Sequence, residues 1–137
     1  MKQGPTFRAY LPSIVFLMLF GWGGLAFLIL DTLPTVWPRW AFFLFVVMAL
    51  TGTALPIAYY FNHRFPTHPP AEPNVIVRQA LWVGIFGATL AWLQLGRLVT
   101  LWMIFGLASG LIAIEYFIRV RELARWKPPL DPDEPTE

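Results

Sequence analysis

The sequence predicts an all-α integral membrane protein with four transmembrane helices, arranged as two helical hairpins. Two features of composition lead to this prediction: 57% of the 137 residues are hydrophobic and only 13% are charged. A soluble chain of this length buries a limited share of its surface, so it would leave wide apolar patches facing water. The third observation is that the apolar residues form runs of about 20, the length of a helix that crosses the hydrocarbon layer.

Four apolar runs have the length of a membrane span. The first leads into Asp31 without a small-residue cleavage site, so it predicts a retained helix and not a secretory signal peptide. The last two runs are separated only by Gly96 and Arg97. A single helix over both would be about 60 Å long, almost twice the hydrocarbon thickness, so a tight turn is expected there. The predicted spans are residues 11–30, 40–60, 80–95 and 98–118.

Prolines mark the predicted connections and the end of the domain. The helical pattern of the fourth span continues to Lys127 and stops at the Pro128-Pro129 pair, so the transmembrane domain is predicted to cover residues 1–127. The acidic residues 128–137 are predicted to be disordered. Prolines also lie in a predicted short connection between the first two spans (Pro34, Pro38) and in a predicted extended loop over residues 61–77 (Pro66, Pro69, Pro70, Pro73).

Positive charges are distributed unevenly between the two predicted sides of the membrane. Eight lie on the side that holds both termini, and two lie on the other side. Because cytoplasmic segments carry an excess of Lys and Arg, both termini are predicted to face the cytoplasm, in a multi-pass protein of the plasma or inner membrane. The eight are Lys2, Arg8, Arg64, Arg78, Arg119, Arg121, Arg125 and Lys127; the two are Arg39 and Arg97.

Small residues form candidate helix-packing faces in the third and fourth spans. Such residues let backbones approach closely in lipid, where hydrophobic exclusion does not drive helices together. The favoured interpretation is that these two spans pack on each other, and the alternative is a dimerisation surface. The residues are Gly106, Gly110 and Ala113, which include a GxxxG motif, in the fourth span, and Gly84, Gly87 and Ala88 in the third.

The second span contains Pro56, whose ring and missing N–H disturb the helix at Gly52. Thr51 and Thr53 place hydroxyl groups where they can satisfy freed carbonyl groups. The favoured interpretation is a static kink, since Pro and Gly are common in transmembrane helices. A hinge or substrate cavity between the first two spans is the alternative.

Glu115 lies near the end of the fourth span, and ionisable residues within spans are candidates for function. Arg119 follows four residues later, in the favourable order for a pair on one helix face, so we expect a neutralised Glu115–Arg119 pair. The alternative is a proton or cation site, which requires Glu115 to face a cavity. We also expect Asp31 to pair with Arg39 or Arg97 on the outer side.

No sequence motif indicates an enzyme, a metal site or a cofactor. The chain lacks cysteine, and its histidines, His63 and His68, lie in the proline-rich segment with only Glu72 as a nearby acid. The basic residues form no stripe that would indicate nucleic-acid binding. The basic residues between Arg119 and Lys127 are expected to contact lipid headgroups.

The function predicted from these features is association. The protein is expected to act as an accessory or scaffold subunit or as a homo-oligomer, with the lipid bilayer and another copy or a larger membrane complex as its partners. The alternative is a small oligomeric transporter or channel for an ion or amphiphile. A shared cavity around Glu115, Gln94, Thr51 and Thr53 would favour transport, and scattered positions would favour association.

Overall fold

In a computed structural model, which describes residues 6–33, 35–67 and 71–127, the chain forms four α-helices. Each is long and apolar enough to cross a membrane, which confirms the prediction of an all-α chain with four candidate membrane spans. The predicted disordered tail, residues 128–137, lies outside the described residues. The helices are α1 (Phe7–Asp31), α2 (Val36–Arg64), α3 (Pro73–Leu95) and α4 (Leu101–Arg125).

Helices α2 and α3 begin before their predicted spans because prolines are tolerated in a first helical turn. Pro73 is the first residue of α3, and Pro38 is the third residue of α2. The first N–H groups of a helix have no acceptor within it, so a proline there removes no hydrogen bond. The prediction of a loop over residues 61–77 is wrong at both ends, since α2 continues to Arg64 and α3 begins at Pro73.

Consecutive helices run antiparallel. Gly21 of α1 lies against Ala49 of α2, and Leu17, one turn earlier in α1, lies against Gly52, further along α2. The same reversed order holds between α2 and α3 and between α3 and α4. The start of α1 and the end of α4 therefore lie at one end of the bundle, which we call the terminal end. The α1–α2 and α3–α4 connections lie at the opposite end, which we call the hairpin end.

Helices α1, α2 and α3 form one packed unit with α2 in the middle. Helix α4 contacts α3 much less extensively, and none of its residues is buried against the described part of the chain. The two predicted hairpins thus describe the connectivity but not the packing, because α2 packs on α3 as closely as on α1. The core of the three-helix unit contains Tyr10, Ile14, Ala54, Leu55, Ile76 and Ala80.

Glycine allows the backbones of α1 and α2 to touch. A β-carbon at Gly21 would lie 2.5 Å from the Cα of Ala49, too close for any side chain to fit without moving a backbone. Gly23, two residues later, faces the other way, and its β-carbon would have no described atom within 4 Å. Close contact at the α1–α2 crossing therefore depends on glycines that face the neighbouring helix, such as Gly21, and not on every glycine of α1.

The predicted tight turn at Gly96 and Arg97 is present and ends α3. The N–H of Leu98 donates to the carbonyl of Leu93 at 3.1 Å, and the N–H of Arg97 donates to that of Gln94 at 3.0 Å. This is the pattern of a Schellman motif, which requires a left-handed residue after the helix. Arg97 occupies that position with φ of 52°, whereas the neighbouring Gly96 has an ordinary negative φ.

Replacing Arg97 with glycine is expected to stabilise the protein. A residue with a β-carbon in the left-handed region costs about 1–2 kcal/mol relative to the right-handed region, and glycine avoids this cost. Thermal unfolding in detergent would measure the gain as a higher Tm. Arg97→Gln is the control, because it removes the charge but keeps the β-carbon; an equal gain for both variants would contradict the backbone explanation.

Candidate functional site

Arg78 of α3 binds two carboxylates of α4 near the terminal end. Its Nε and Nη2 donate to the two oxygens of Glu115 at 2.9 and 3.1 Å, and its Nη1 and Nη2 donate to those of Glu122 at 2.6 and 3.1 Å. Trp82 Nε1 also donates to Glu115 Oε2 at 3.1 Å. We call these four residues the Arg78 cluster.

Helical spacing explains why these four side chains meet. Trp82 follows Arg78 by one turn of α3, and Glu122 follows Glu115 by two turns of α4, so each pair shares a helix face. The tight turn at residues 96–97 then sets the antiparallel register. Arg78 lies 18 residues before Gly96, and Glu115 lies 18 residues after Arg97.

The Arg78 cluster is partly sheltered and carries one positive and two negative formal charges. The side chains of Arg78 and Glu115 are only 22% and 16% exposed, whereas that of Glu122 is 46% exposed. A sheltered carboxylate is costly unless donors compensate it, and Glu115 accepts three N–H groups. The cluster therefore ties α4 to α3 through charge-assisted hydrogen bonds.

The predicted pairing of Glu115 with Arg119 is wrong. Arg119 instead donates from Nη2 to the hydroxyl of Thr67 at 2.7 Å, in the connection between α2 and α3. The spacing rule that suggested Arg119 considers one helix only, whereas the actual partner, Arg78, comes from the neighbouring helix. From the sequence Arg78 was considered only as a sign of orientation, and Trp82 and Glu122 were not predicted as members of this site. The equal distance of Arg78 and Glu115 from the turn was the sequence signal that indicates their contact.

The small residues of α3 pack against α2 and not against α4. A β-carbon at Gly84 would lie 2.8 Å from the carbonyl oxygen of Val47 and would overlap the hydroxyl of Thr51. A β-carbon at Gly87 would overlap Leu50 of α2. The predicted α3–α4 interface is therefore wrong for Gly84 and Gly87, because these residues lie on the side of α3 that closes the three-helix unit. Ala88 beside them is half-buried.

The small residues of α4 form an open surface, which we call the Gly106 face. It consists of Gly106, Gly110 and Ala113, and all three are exposed. A β-carbon at either glycine would have no atom of the described chain within 4 Å. The favoured prediction, that this face packs on α3, is wrong, and its use in dimerisation stays a prediction.

Helix α2 is continuous across Pro56, and the residues around it are closely packed. The hydroxyl of Thr53 donates to the carbonyl of Ala49 at 2.8 Å and accepts from Trp22 Nε1 at 3.2 Å. A β-carbon at Gly52 would lie 2.8 Å from Cβ of Leu17 in α1. These contacts occupy the crossing of α1 and α2, where a substrate cavity was the alternative prediction.

Thr51 lies on the other side of α2, against Gly84 of α3. It is only 6% exposed, and its hydroxyl has no hydrogen-bond partner among the described residues. Thr53 faces α1 instead. The two threonine hydroxyls therefore do not form a common polar surface.

The structure scatters the polar residues that a transport path would need. Glu115 lies in the Arg78 cluster, Thr51 lies between α2 and α3, and Thr53 lies between α1 and α2. Gln94 is exposed and follows Arg78 by 16 positions, which is about 24 Å along α3. These four residues do not line a common cavity.

Two further predictions concern charged or metal-binding groups. The predicted pairing of Asp31 with an outer arginine is absent, since the ion pairs of residues 6–33, 35–67 and 71–127 all involve Arg78. Within the same ranges no group of His, Asp and Glu residues has the geometry of a metal site. His63 stacks on Tyr59 with ring centroids 5.9 Å apart, and His68 lies outside the described residues.

An open cleft lies at the hairpin end, between the start of α2 and the end of α3. It has a volume of about 280 Å³ and is mostly apolar. From the sequence Arg39 was considered only as a sign of orientation, and its convergence with Trp40 and Trp92 was not predicted. The cleft is lined by Val36, Arg39, Trp40, Phe43, Trp92 and Leu95.

The geometry therefore distinguishes three parts of the chain: the Arg78 cluster, the Gly106 face and the hairpin-end cleft. Four apolar helices support a multi-pass membrane protein. Comparison of the chain with protein-family models, with curated proteins and with solved structures finds no match.

Proposed function

We propose that the protein acts through lateral association of α4 with other transmembrane helices, as an accessory or scaffold subunit or as a homo-oligomer. The observation that carries this proposal is the position of α4 outside the packed unit, with its small-residue face open. None of its residues is buried within the described chain, and a β-carbon at Gly106 or Gly110 would meet no atom of another described helix.

An open glycine face gives no benefit to a helix that contacts only lipid. Each glycine in a helix costs about 1 kcal/mol relative to alanine, and a lipid-facing glycine recovers none of this through packing. In a helix interface the same residues allow close backbone approach, which is the main source of association in hydrocarbon. The Gly106 face therefore suits contact with a helix from outside the chain.

The Arg78 cluster determines how α4 is presented. It joins α4 to α3 at Glu115 and Glu122, in the half of α4 near the terminal end. The Gly106 face begins one turn after the start of α4, in the half near the hairpin end. Ion pairs thus hold α4 against α3 in one half, while the Gly106 face in the other half remains accessible to a partner.

We also propose that both ends of the chain lie in the cytoplasm and that the protein resides in the plasma or inner membrane. The support is the distribution of charge, since among the residues that the structure describes seven basic residues lie at the terminal end and two at the hairpin end.

Transport within a single chain is less well supported. Glu115 accepts hydrogen bonds from Arg78 and Trp82, so its carboxylate is already engaged by neighbouring side chains. Gln94, Thr51 and Thr53 lie in separate places. We propose no enzymatic activity, because the Arg78 cluster is arranged as a tie between helices.

The double variant Gly106→Leu/Gly110→Leu is expected to lower association of the full-length protein by about tenfold, which corresponds to about 1.4 kcal/mol. Two leucine side chains would keep the partner backbone away from α4. Chemical cross-linking in native membranes, followed by mass measurement of the purified complex, would quantify the loss.

Gly23→Leu is the matched control for this experiment. It makes the same change at an open glycine of α1, where no described atom lies within 4 Å, so we expect association to be unchanged. A native protein that is monomeric and partnerless under gentle solubilisation would contradict the proposal. An undiminished complex in the double variant would contradict the role of the Gly106 face.

A further inference from the structure

The register of α2 and α3 explains the cleft at the hairpin end. Near the middle of the bundle, Gly84 and Gly87 let the two helices come into close contact. Toward the hairpin end, the facing positions carry large side chains in place of glycine, among them Trp40, Phe43 and Trp92. The helices cannot remain equally close there, and a cleft of about 280 Å³ lies between them.

The cleft is apolar inside and has one charged residue, Arg39, at its mouth. Arg39 is the fourth residue of α2, and Leu95 is the last residue of α3, so both lie near the membrane surface at the hairpin end. Phe43 and Trp92 lie one turn deeper on their helices. A ligand that matches this arrangement has a charged head near the surface and a hydrocarbon chain below it.

The charge at the mouth favours an anion. Arg39 is exposed and forms no ion pair within the described residues. The other charged groups near this end are Asp31, at the end of α1, and Arg97, in the α3–α4 turn, so the formal balance of the three is positive. Helix α2 also begins here without an acidic residue in its first turn, so its positive dipole end adds to the field of Arg39.

We propose that the hairpin-end cleft binds one anionic phospholipid. Arg39 contacts the phosphate of the headgroup, and an acyl chain lies along Trp40, Phe43 and Trp92. Phosphate is a geometric match for the planar guanidinium group, and tryptophan is favourable at the boundary between headgroups and hydrocarbon. This site lies between α2 and α3 and does not depend on the proposed association of α4.

Native mass spectrometry of the delipidated full-length protein provides the test. The probes are phosphatidylglycerol and phosphatidylcholine with identical palmitoyl and oleoyl chains. One arginine near an anionic headgroup contributes about a fivefold preference. We therefore expect the native protein to bind phosphatidylglycerol about fivefold more tightly than phosphatidylcholine, and Arg39→Gln to abolish this preference.

Two further variants separate the cleft from general surface charge. Arg97→Gln removes a positive charge at the same end but outside the cleft, and we expect it to retain the preference. Trp92→Ala removes part of the apolar wall, and we expect it to weaken the binding of both lipids. Circular dichroism of each variant would show that the helices are intact.

Equal affinity of the native protein for the two lipids would overturn the proposal. So would an equal loss of preference in Arg97→Gln and Arg39→Gln, since that result would indicate a diffuse electrostatic effect. A second copy of the chain is the competing occupant of the cleft. If Trp92→Ala dissociates a dimer and leaves lipid binding unchanged, the cleft is a protein interface and the proposal is wrong.

Discussion

Gly21→Ala is expected to destabilise the protein by about 1–3 kcal/mol, the usual cost of forcing extra volume into a packed contact. The added methyl group would meet the backbone of Ala49, its Cα at 2.5 Å, and a backbone cannot rotate away as a side chain can. Helices α1 and α2 must then separate along the crossing that also holds the hydrogen bond between Trp22 and Thr53. Unfolding in mixed micelles with increasing denaturing detergent would measure the loss.

Gly23→Ala is the control for this prediction. The change is chemically identical and lies two residues away, at a position with no described atom within 4 Å. Because alanine is a better helix former than glycine by about 1 kcal/mol, this variant should be as stable as the native protein or more so. Equal destabilisation by the two substitutions would show that Gly21 has no special role at the crossing.

Arg78→Gln is expected to release α4 from α3. Removal of one partner of a sheltered ion pair leaves an uncompensated charge and typically costs about 3–5 kcal/mol, and Glu115 is only 16% exposed. Because few other contacts join the two helices, this loss should separate them without unfolding the three-helix unit. The chain has no cysteine, so spin labels can be placed at Leu81 and Phe117 through introduced cysteines. Their distance distribution should broaden and shift to longer values.

Two variants check that the loss comes from the ion pair itself. Arg121→Gln removes an exposed arginine of α4 outside the Arg78 cluster, and it should leave the label distance unchanged. Exchange of the partners in Arg78→Glu/Glu115→Arg should restore at least part of the native distance. A narrow, native distance in Arg78→Gln would show that apolar contacts alone hold α4 in place.

The number and type of helices could be predicted from the sequence because the signal is local. A run of about 20 apolar residues specifies a membrane span whatever its neighbours are. The helix ends were less predictable, since Pro73 can break a helix or begin one, and its effect depends on which N–H groups would otherwise be bonded. The turn at Gly96 and Arg97 was predictable because a single helix there would be too long for the bilayer.

Contacts between helices were much harder to predict. Glu115 could be identified as important because ionisable residues in spans are rare, but its partner depends on which helix face lies opposite. Gly84 and Gly106 follow the same small-residue pattern in sequence, yet one packs closely on α2 and the other faces outward. A glycine in the sequence shows that two helix backbones can approach closely at that position. Only the packing of the neighbouring helices shows whether they do.

The peripheral position of α4 has a consequence for how this chain can diverge. All the buried side chains of the described residues lie in α1, α2 and α3, and none lies in α4. Substitutions on the outward side of α4 therefore leave the core of the three-helix unit intact. New neighbours can therefore be accommodated by changes in one helix, at little cost to folding. The residues that stabilise the core are thus separate from those that would determine which helices α4 contacts.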